Sequence, residues 1–443
     1  MPEVTIIGGG LAGSEAAWQL AGRGIPVRLY EMRPHTMTPA HRTDRLAEIV
    51  CSNSLGADGT SSPAGILKRE LRSLGSLILR CADESRVPAG KALAVDREVF
   101  AALVTERIES SPLITVVREE CTTLPQGPVI VAAGPLMAPA LAEELKAMAG
   151  SAYLSFFDAI APVVTSDSID MTRAYRKGRW GQEGDYINCP LDRERYEAFV
   201  TALVAAERVL PHDFEDSPSW FEGCLPVEVM AGRGKDTLRF GPMRPVGLPE
   251  PGTDREPYAV VQLRQDNREG TLYNLVGFQT SLRWGEQERV FRMIPGLEEA
   301  EFARFGVMHR NIYVNAPAVL DPCLRFRDGR RDLFLAGQIT GVEGYVESTA
   351  MGCVAAAGMT ALLRDAPFPP WPRATAIGSL MHYLSDAQAG HFNPMNVNLG
   401  IFPPLDRKIR NKVQRCELVA QRAEAAWAEF LPHLEILGWT FRQ

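Results

Sequence analysis

An α/β fold built on a doubly wound parallel sheet is what this sequence predicts, on three observations. The first is a glycine turn, Gly8-Gly9-Gly10-Leu11-Ala12-Gly13, set between a short apolar run and a helical one. The second is the alternation of strand and helix patterns through the first third of the chain. The third is the return of that texture near Leu333, after a middle segment of different character. The expected organisation is a discontinuous Rossmann-type dinucleotide-binding domain. Its first part spans 1–150, an inserted α/β second domain spans 151–320, and 321–443 completes the first domain and adds carboxy-terminal helices.

Element by element, Val4–Ile7 reads as a buried strand, Ser14–Ala21 as a helix and Val27–Glu31 as a second strand, with Gly22 and Gly24 punctuating the turn between them. Asp96–Ile108 reads as a helix with Asp96 as its N-cap, because a carboxylate there accepts hydrogen bonds from the first-turn N–H groups. Val129–Ala133 is a short apolar strand stopped by Gly134-Pro135. From about residue 151, Tyr, Trp, Pro and Arg become frequent, and the strand-like runs Tyr258–Leu263 and Leu272–Phe278 point to a separate sheet. Leu333–Ala336 restores the buried-strand signature, and a small-residue helix follows through Met351–Leu363. Pro367–Pro372 breaks the chain before a last helical region near Asp406–Phe430.

Composition narrows the class. The 443 residues are 46% hydrophobic and 23% charged, ordinary for a globular protein. The start carries no basic region followed by an apolar one, so no signal peptide is expected. No uninterrupted apolar run reaches the roughly 20 residues that cross a bilayer, so no membrane partner is expected. The eight cysteines form neither a Cys-x-x-Cys pair nor a Cys/His cluster at zinc spacing, which favours a reducing cytoplasm and no structural metal. A net charge of −7 gives no global attraction to nucleic acid and no reason to expect DNA, so RNA binding would need a local basic surface. Nothing fixes an oligomeric state.

The glycine turn satisfies G-x-G-x-x-G, with Glu31 near the expected offset at the end of the next strand. Gly8 would allow the tight turn, Gly10 the close approach of a pyrophosphate, and Gly13 the packing of helix on strand. The helix N-terminus would face the phosphates with its partial positive charge. Glu31 would accept from the adenosine ribose. The later stretch Asp332–Gly337, continuing through Gln338 to Gly344 and Tyr345, is similar to the second flavin-contacting segment of two-dinucleotide flavoproteins. Together the two stretches point to flavin adenine dinucleotide, FAD. Its expected contacts are Gly8, Gly9, Gly10, Leu11, Ala12, Gly13, Glu31, Gly337, Gln338, Gly344 and Tyr345.

Gly8–Ala17 and Ala336–Tyr345 resemble the GidA-related tRNA-modifying flavoproteins. Within that group four more stretches resemble the folate- and FAD-dependent tRNA uracil-5-methyltransferases: Val50-Cys51-Ser52-Asn53-Ser54-Leu55, Phe221-Glu222-Gly223-Cys224-Leu225-Pro226, Gly306-Val307-Met308-His309-Arg310-Asn311 and Asn393-Pro394-Met395-Asn396-Val397-Asn398. The resemblance runs from the first strand to about residue 415. It implies transfer of a one-carbon unit from 5,10-methylenetetrahydrofolate to C5 of the T-loop uridine in tRNA, with NADPH or NADH as reductant through FAD. It also implies Cys224 as the thiol that attacks uracil C6 and Cys51 as a partner near the flavin. His309 would stack on the folate, with Asn396 and Asn398 as polar contacts.

The chemistry has its own requirements. Uracil C5 is a poor nucleophile until a thiolate adds at C6, so a reactive cysteine, a hydride source and an acid/base group are the minimum set. For tRNA, two basic stretches stand out: Arg173, Arg176, Lys177 and Arg179 beside Tyr175 and Trp180, and Arg407, Lys408, Arg410 and Lys412 on an expected helix. Three rival functions share parts of this pattern. They are a GidA-type enzyme acting on wobble uridine, a small-molecule FAD oxidoreductase, and a flavin-holding RNA-binding protein without turnover.

Overall fold

The computed structural model describes residues 1–38, 40–179, 184–209, 225–386, 392–407 and 409–439, with the side chains at 151, 153–158, 309, 310 and 386 outside that description. Five short strands form a wholly parallel sheet in the order Leu333–Leu335, Val129–Val131, Val4–Ile7, Val27–Tyr30, Ile114–Val117. Each is three or four residues long and nearly all apolar, the composition of strands covered on both faces. The edge strand Leu333–Leu335 comes from the far end of the chain and pairs with Val129–Val131. The parallel-sheet domain is therefore discontinuous, as the sequence predicts.

Between the first two strands lies the helix Leu11–Ala21, three residues longer at its start than the sequence pattern indicated. It packs against the long helix Tyr345–Leu363 through small residues. A Cβ placed on Gly352 would stand 2.4 Å from the Ala12 carbonyl oxygen, so only glycine permits this approach. That helix is long and apolar enough to cross a membrane, and most of it is buried inside the protein. Asp96 caps Arg97–Glu109 as expected, accepting from the Glu98 and Val99 N–H groups at 3.0 and 2.9 Å.

The middle of the chain builds a six-stranded antiparallel sheet in the order Tyr175–Arg176, Tyr186–Leu191, Ala259–Gln265, Leu272–Leu275, Val163–Thr165, Phe302–Arg304. Helices Arg193–Ala205 and Trp284–Phe291 pack on it, and its core includes Phe199, Phe278 and Phe291. The two chain passages joining this body to the parallel-sheet body, Tyr153–Ala159 and Met308–Val314, pair with each other as an antiparallel ribbon. The last helix runs Lys412–Glu435 and corrects the expected start near Asp406. Asn411 sets that start by accepting from the Gln414 N–H at 3.1 Å. Arg407 and Arg410 therefore precede the helix.

Candidate functional site

A cavity of about 550 Å³ opens at the carboxyl ends of the parallel strands and continues to Asn311 on the ribbon and to Gln279. Ligands enter open α/β sheets at that place. Gly8, Gly10, Leu11, Ala12 and Glu31 line it, and so do Gly337, Gln338, Gly344 and Tyr345, with Gly337 packed close to Ala12. The two glycine stretches named from the sequence thus face one space.

The three fingerprint glycines have distinct geometries. Gly8 has φ +103°, where an L side chain is strained, and a Cβ there would lie 2.5 Å from Ala133 Cα. A Cβ on Gly13 would lie 1.9 Å from the Gly8 carbonyl oxygen, so Gly13 is needed for the helix to rest on the turn. A Cβ on Gly10 would meet nothing within 4 Å, because that face opens into the cavity. Gly9 lies behind the turn, its N–H donating to Glu31 Oε2 at 3.1 Å. No side chain caps the N-terminus of Leu11–Ala21 and no acidic residue occupies its first turn, which leaves N–H groups and positive potential for an anion.

Glu31 is buried and held by Arg33, whose Nε donates to Oε1 at 2.8 Å and whose second guanidinium nitrogen donates to Oε2 at 3.1 Å. Burial pushes its carboxyl upward, but the Arg33 hydrogen bonds and charge outweigh burial and hold it below the usual range. Arg33 also reaches Glu48 at 3.0 Å. Sequence reasoning had no means of finding this pair, since Arg33 follows the strand in an irregular loop.

The second stretch lies against the start of the Leu11–Ala21 helix. Gly337 has φ +82° and a Cβ on it would stand 2.9 Å from Ala12 Cβ. Gln338 Nε2 donates to Glu343 Oε2 at 2.7 Å. Gly344 starts the Tyr345–Leu363 helix without a side-chain cap. The Tyr345 hydroxyl accepts from the Cys51 backbone N–H at 2.8 Å. Burial pushes that phenol well above its ordinary pKa, so it is a neutral hydroxyl at physiological pH. Glu347, which also lines the cavity, accepts from the Val397 N–H at 3.0 Å, and burial raises its carboxyl as well.

Cys51 lines this cavity, half-buried, with Sγ 3.8 Å from the Ala159 carbonyl oxygen at the end of the ribbon. Its backbone is gripped from both bodies. The Cys51 carbonyl accepts from Arg97 at 2.7 Å and from Arg304 at 3.1 Å. Arg97 also holds the Ile49 carbonyl at 2.8 Å and pairs with Asp266 at 2.9 Å. Burial works against the Arg97 cation, and the Asp266 charge more than offsets it. Arg264 donates to Asn53 Oδ1 at 3.0 Å, and Asn53 in turn donates to the Val95 and Gln265 carbonyls. Arg304 has no carboxylate in hydrogen-bond contact among the described residues, and burial lowers its guanidinium to about 10. None of Arg97, Arg264, Asp266 and Arg304 was marked by any sequence motif. Their contacts to this loop span tens to hundreds of residues, which a local pattern does not encode.

Cys224 lies outside the described residues. The described chain on either side of its segment is pinned to one place: the Val209 N–H donates to the Ser281 carbonyl and the Val227 N–H to the Gln279 carbonyl, both at 2.7 Å. Gln279 lines the cavity. Glu228 reinforces this anchor by accepting from Thr280 Oγ1, the Ser281 N–H and Ser281 Oγ. His309 sits on the ribbon strand Met308–Val314, and its side chain is outside the described set. Asn396 lines the cavity, whereas Asn398 forms a local turn, donating to the Asn396 carbonyl at 2.9 Å and accepting from the Gly400 N–H at 2.8 Å.

The other cysteines divide as burial dictates. Cys81, Cys189 and Cys353 are core residues, and burial raises all three thiols, Cys189 to about 12. Cys121 lines the cavity. The first basic stretch is largely engaged within the protein. Arg173 pairs with Glu298, Arg176 donates to the Tyr273 hydroxyl at 2.8 Å, Lys177 to the Pro249 carbonyl at 3.1 Å, and Arg179 to Gln262 at 2.9 Å and to the Arg244 carbonyl at 2.7 Å. Arg176 remains exposed at the sheet edge, and Arg407, Arg410 and Lys412 are exposed; Trp180 and Lys408 lie outside the described residues.

Comparison with known proteins places this geometry. Residues 3–367 match the family model described as glucose inhibited division protein A. Proteins named methylenetetrahydrofolate--tRNA-(uracil-5-)-methyltransferase TrmFO are similar along nearly their whole length. The one from Moorella thermoacetica is 60% identical, covering 96% of this chain and 97% of its own. The one from Geobacter sulfurreducens is 58% identical, covering 95% and 97%. Among solved structures, Aquifex aeolicus GidA superposes with a TM-score of 0.66 at 17% identity, covering 98% of this chain and 78% of that one, a likeness of fold.

Proposed function

The chain belongs to the TrmFO group of the GidA family, and on that footing we propose that it methylates C5 of a uridine in tRNA, with 5,10-methylenetetrahydrofolate as one-carbon donor. The observation that carries this reading is the single cavity joining both glycine stretches to Cys51. The wall residues fit FAD: an open Gly10 face, an uncapped helix N-terminus beside it, and the Gly337 and Gly344 backbone lining the same cavity. FAD, when bound, supplies the redox chemistry that passes reducing equivalents from NADPH or NADH.

The residues then divide the work. Gly8, Gly10, Leu11 and Ala12 would cradle the pyrophosphate, and Glu31, fixed by Arg33, would accept from the ribose hydroxyls. Gly337, Gln338, Gly344 and Tyr345 would hold the ring end. In our reading the Cys224 thiolate adds to uracil C6, so that C5 gains carbanion character and attacks the electrophilic methylene. A base then removes the C5 proton as the bond from the methylene carbon to the folate nitrogen breaks, releasing tetrahydrofolate and leaving an exocyclic methylene; hydride adds to that methylene as the C6–sulfur bond breaks and the thiolate leaves, giving 5-methyluridine. Cys51, held beside the neutral Tyr345 hydroxyl, is our candidate acid/base group. His309 and Asn396 are the folate candidates, while Asn398 shapes the turn that presents Asn396. The T-loop uridine is the proposed target, the cytoplasm the proposed compartment, and Arg176 with Arg407, Lys408, Arg410 and Lys412 the proposed phosphate contacts. The division of the chain at 150 and 320 is our proposed domain boundary.

The test is incubation with tRNA transcript, methylenetetrahydrofolate and NADPH, followed by nucleoside mass analysis. We expect 5-methyluridine at the T-loop. A carboxymethylaminomethyl product at the wobble position, or no modified nucleoside from protein that carries flavin, would overturn the reading.

A further inference from the structure

A stack of aromatic rings runs from the core of the antiparallel-sheet body to its surface and ends at Trp284, which is 58% exposed. Trp284 lies on Phe305 with ring centroids 5.4 Å apart and planes 13° from parallel. Phe305 lies on Phe302 at 5.2 Å and 15°, and Phe302 meets the fully buried Phe291 at 6.5 Å. The stack is rigidly founded. Gln287, fully buried, donates to the Gly306 carbonyl at 2.9 Å and accepts from the Gly306 N–H at 2.8 Å, tying the Trp284–Phe291 helix to the residue after Phe305. The residue before Phe305 is Arg304, which grips the Cys51 carbonyl. Trp284 therefore stands outside the wall whose inner side holds Cys51, and only three residues beyond the Gln279–Ser281 anchor of the Cys224 segment.

We propose that the outward face of Trp284 is a stacking platform for an unpaired nucleobase of the tRNA substrate. Every base has a π face, so one exposed indole held flat by a ring beneath it suits a base displaced near the site of reaction. Arg283, the residue before it, is exposed and paired with an exposed carboxylate, Glu207, in a surface ion pair. Such pairs are weak and screened, and phosphate can replace the carboxylate. An isolated exposed indole would otherwise cost apolar hydration for no packing gain on its outer face. This inference rests on the tRNA reading above.

The test compares Trp284→Ala, Trp284→Leu and Trp284→Phe for transcript binding and for 5-methyluridine formation. Base stacking predicts that Ala and Leu weaken tRNA binding by about 5-fold to 100-fold, the range that one lost stacked base gives. Phe should stay within about 3-fold of the parent, and flavin content and NADPH-driven flavin reduction without tRNA should be unchanged in all three. A mere cover for Phe305 predicts the opposite order, with Leu restoring binding because it shields the ring equally well; that result, or unchanged binding by Ala, overturns the proposal. Parent protein that binds transcript but makes no 5-methyluridine would sink the reaction proposed above. The platform would still be supported by selective loss of binding in Ala and Leu.

Discussion

The two ends of the cavity are built by different means. The Gly8–Gly13 end is made of backbone from a single strand–turn–helix unit, and its shape follows from what glycine lacks. The Cys51 end is made of long side chains from both bodies, Arg97 from one and Arg264, Asp266 and Arg304 from the other, converging on one short loop. A cofactor cradle can be local because its demands are steric and electrostatic at the scale of one turn. On our proposal that Cys51 acts on a substrate held between the two bodies, its support has to reach across them.

The sharpest way to break this contrast is Cys51→Ala. Nucleoside formation should fall by about 100-fold to 10,000-fold, the usual contribution of an acid/base group, while bound flavin stays constant by absorbance. Methylation at the parent rate would remove Cys51 from the chemistry and reduce its clamp to architecture. Next in size is Asp266→Ala, which strips Arg97 of its buried partner. Loss of one member of such a pair costs about 3–5 kcal/mol, visible as a fall in melting temperature and in activity together. If only stability dropped and the remaining folded fraction were fully active, the clamp would not be aiming the thiol.

At the glycine end, two substitutions should separate fold from ligand. Gly13→Ala forces a Cβ onto the Gly8 carbonyl and should cost about 1–3 kcal/mol of stability, with flavin lost as a consequence. Gly10→Ala meets no protein atom, so its apoprotein should melt like the parent while its flavin affinity falls. Equal melting losses in both apoproteins would contradict the open Gly10 face. The smallest effect is titration of Glu31. Its carboxyl is held below the usual range in the folded protein, so its contribution is present above the unfolded-state pKa near 4.5 and is lost as pH falls through the lower folded value. Thermal melts of the apoprotein at falling pH should therefore be less steep in Glu31→Gln than in the parent.

What could be read in advance follows the same divide. Val4–Ile7, the fingerprint glycines, Asp96 as a cap and the return of the sheet at Leu333 are all written in a few adjacent residues. The start of the last helix was misplaced because Asn411, with no distinctive neighbours, does the capping. Arg33 was missed because it follows Glu31 in an irregular loop that carries no motif, and Arg97 with Asp266 and Arg304 around Cys51 because side chains that meet only after folding leave no spacing to detect. Asn398 shows the converse: a motif residue whose amide serves the turn rather than the cavity.

The paired passages Tyr153–Ala159 and Met308–Val314 carry a mechanical consequence. Seven facing residues on each strand make a strap that resists shear, and one end of it touches the Cys51 sulfur at Ala159. A tilt of one body against the other would load this strap at the end that meets the sulfur, whereas the Gly8–Gly13 turn is anchored in the parallel sheet. A reporter on the thiol would serve as a protractor for interdomain angle.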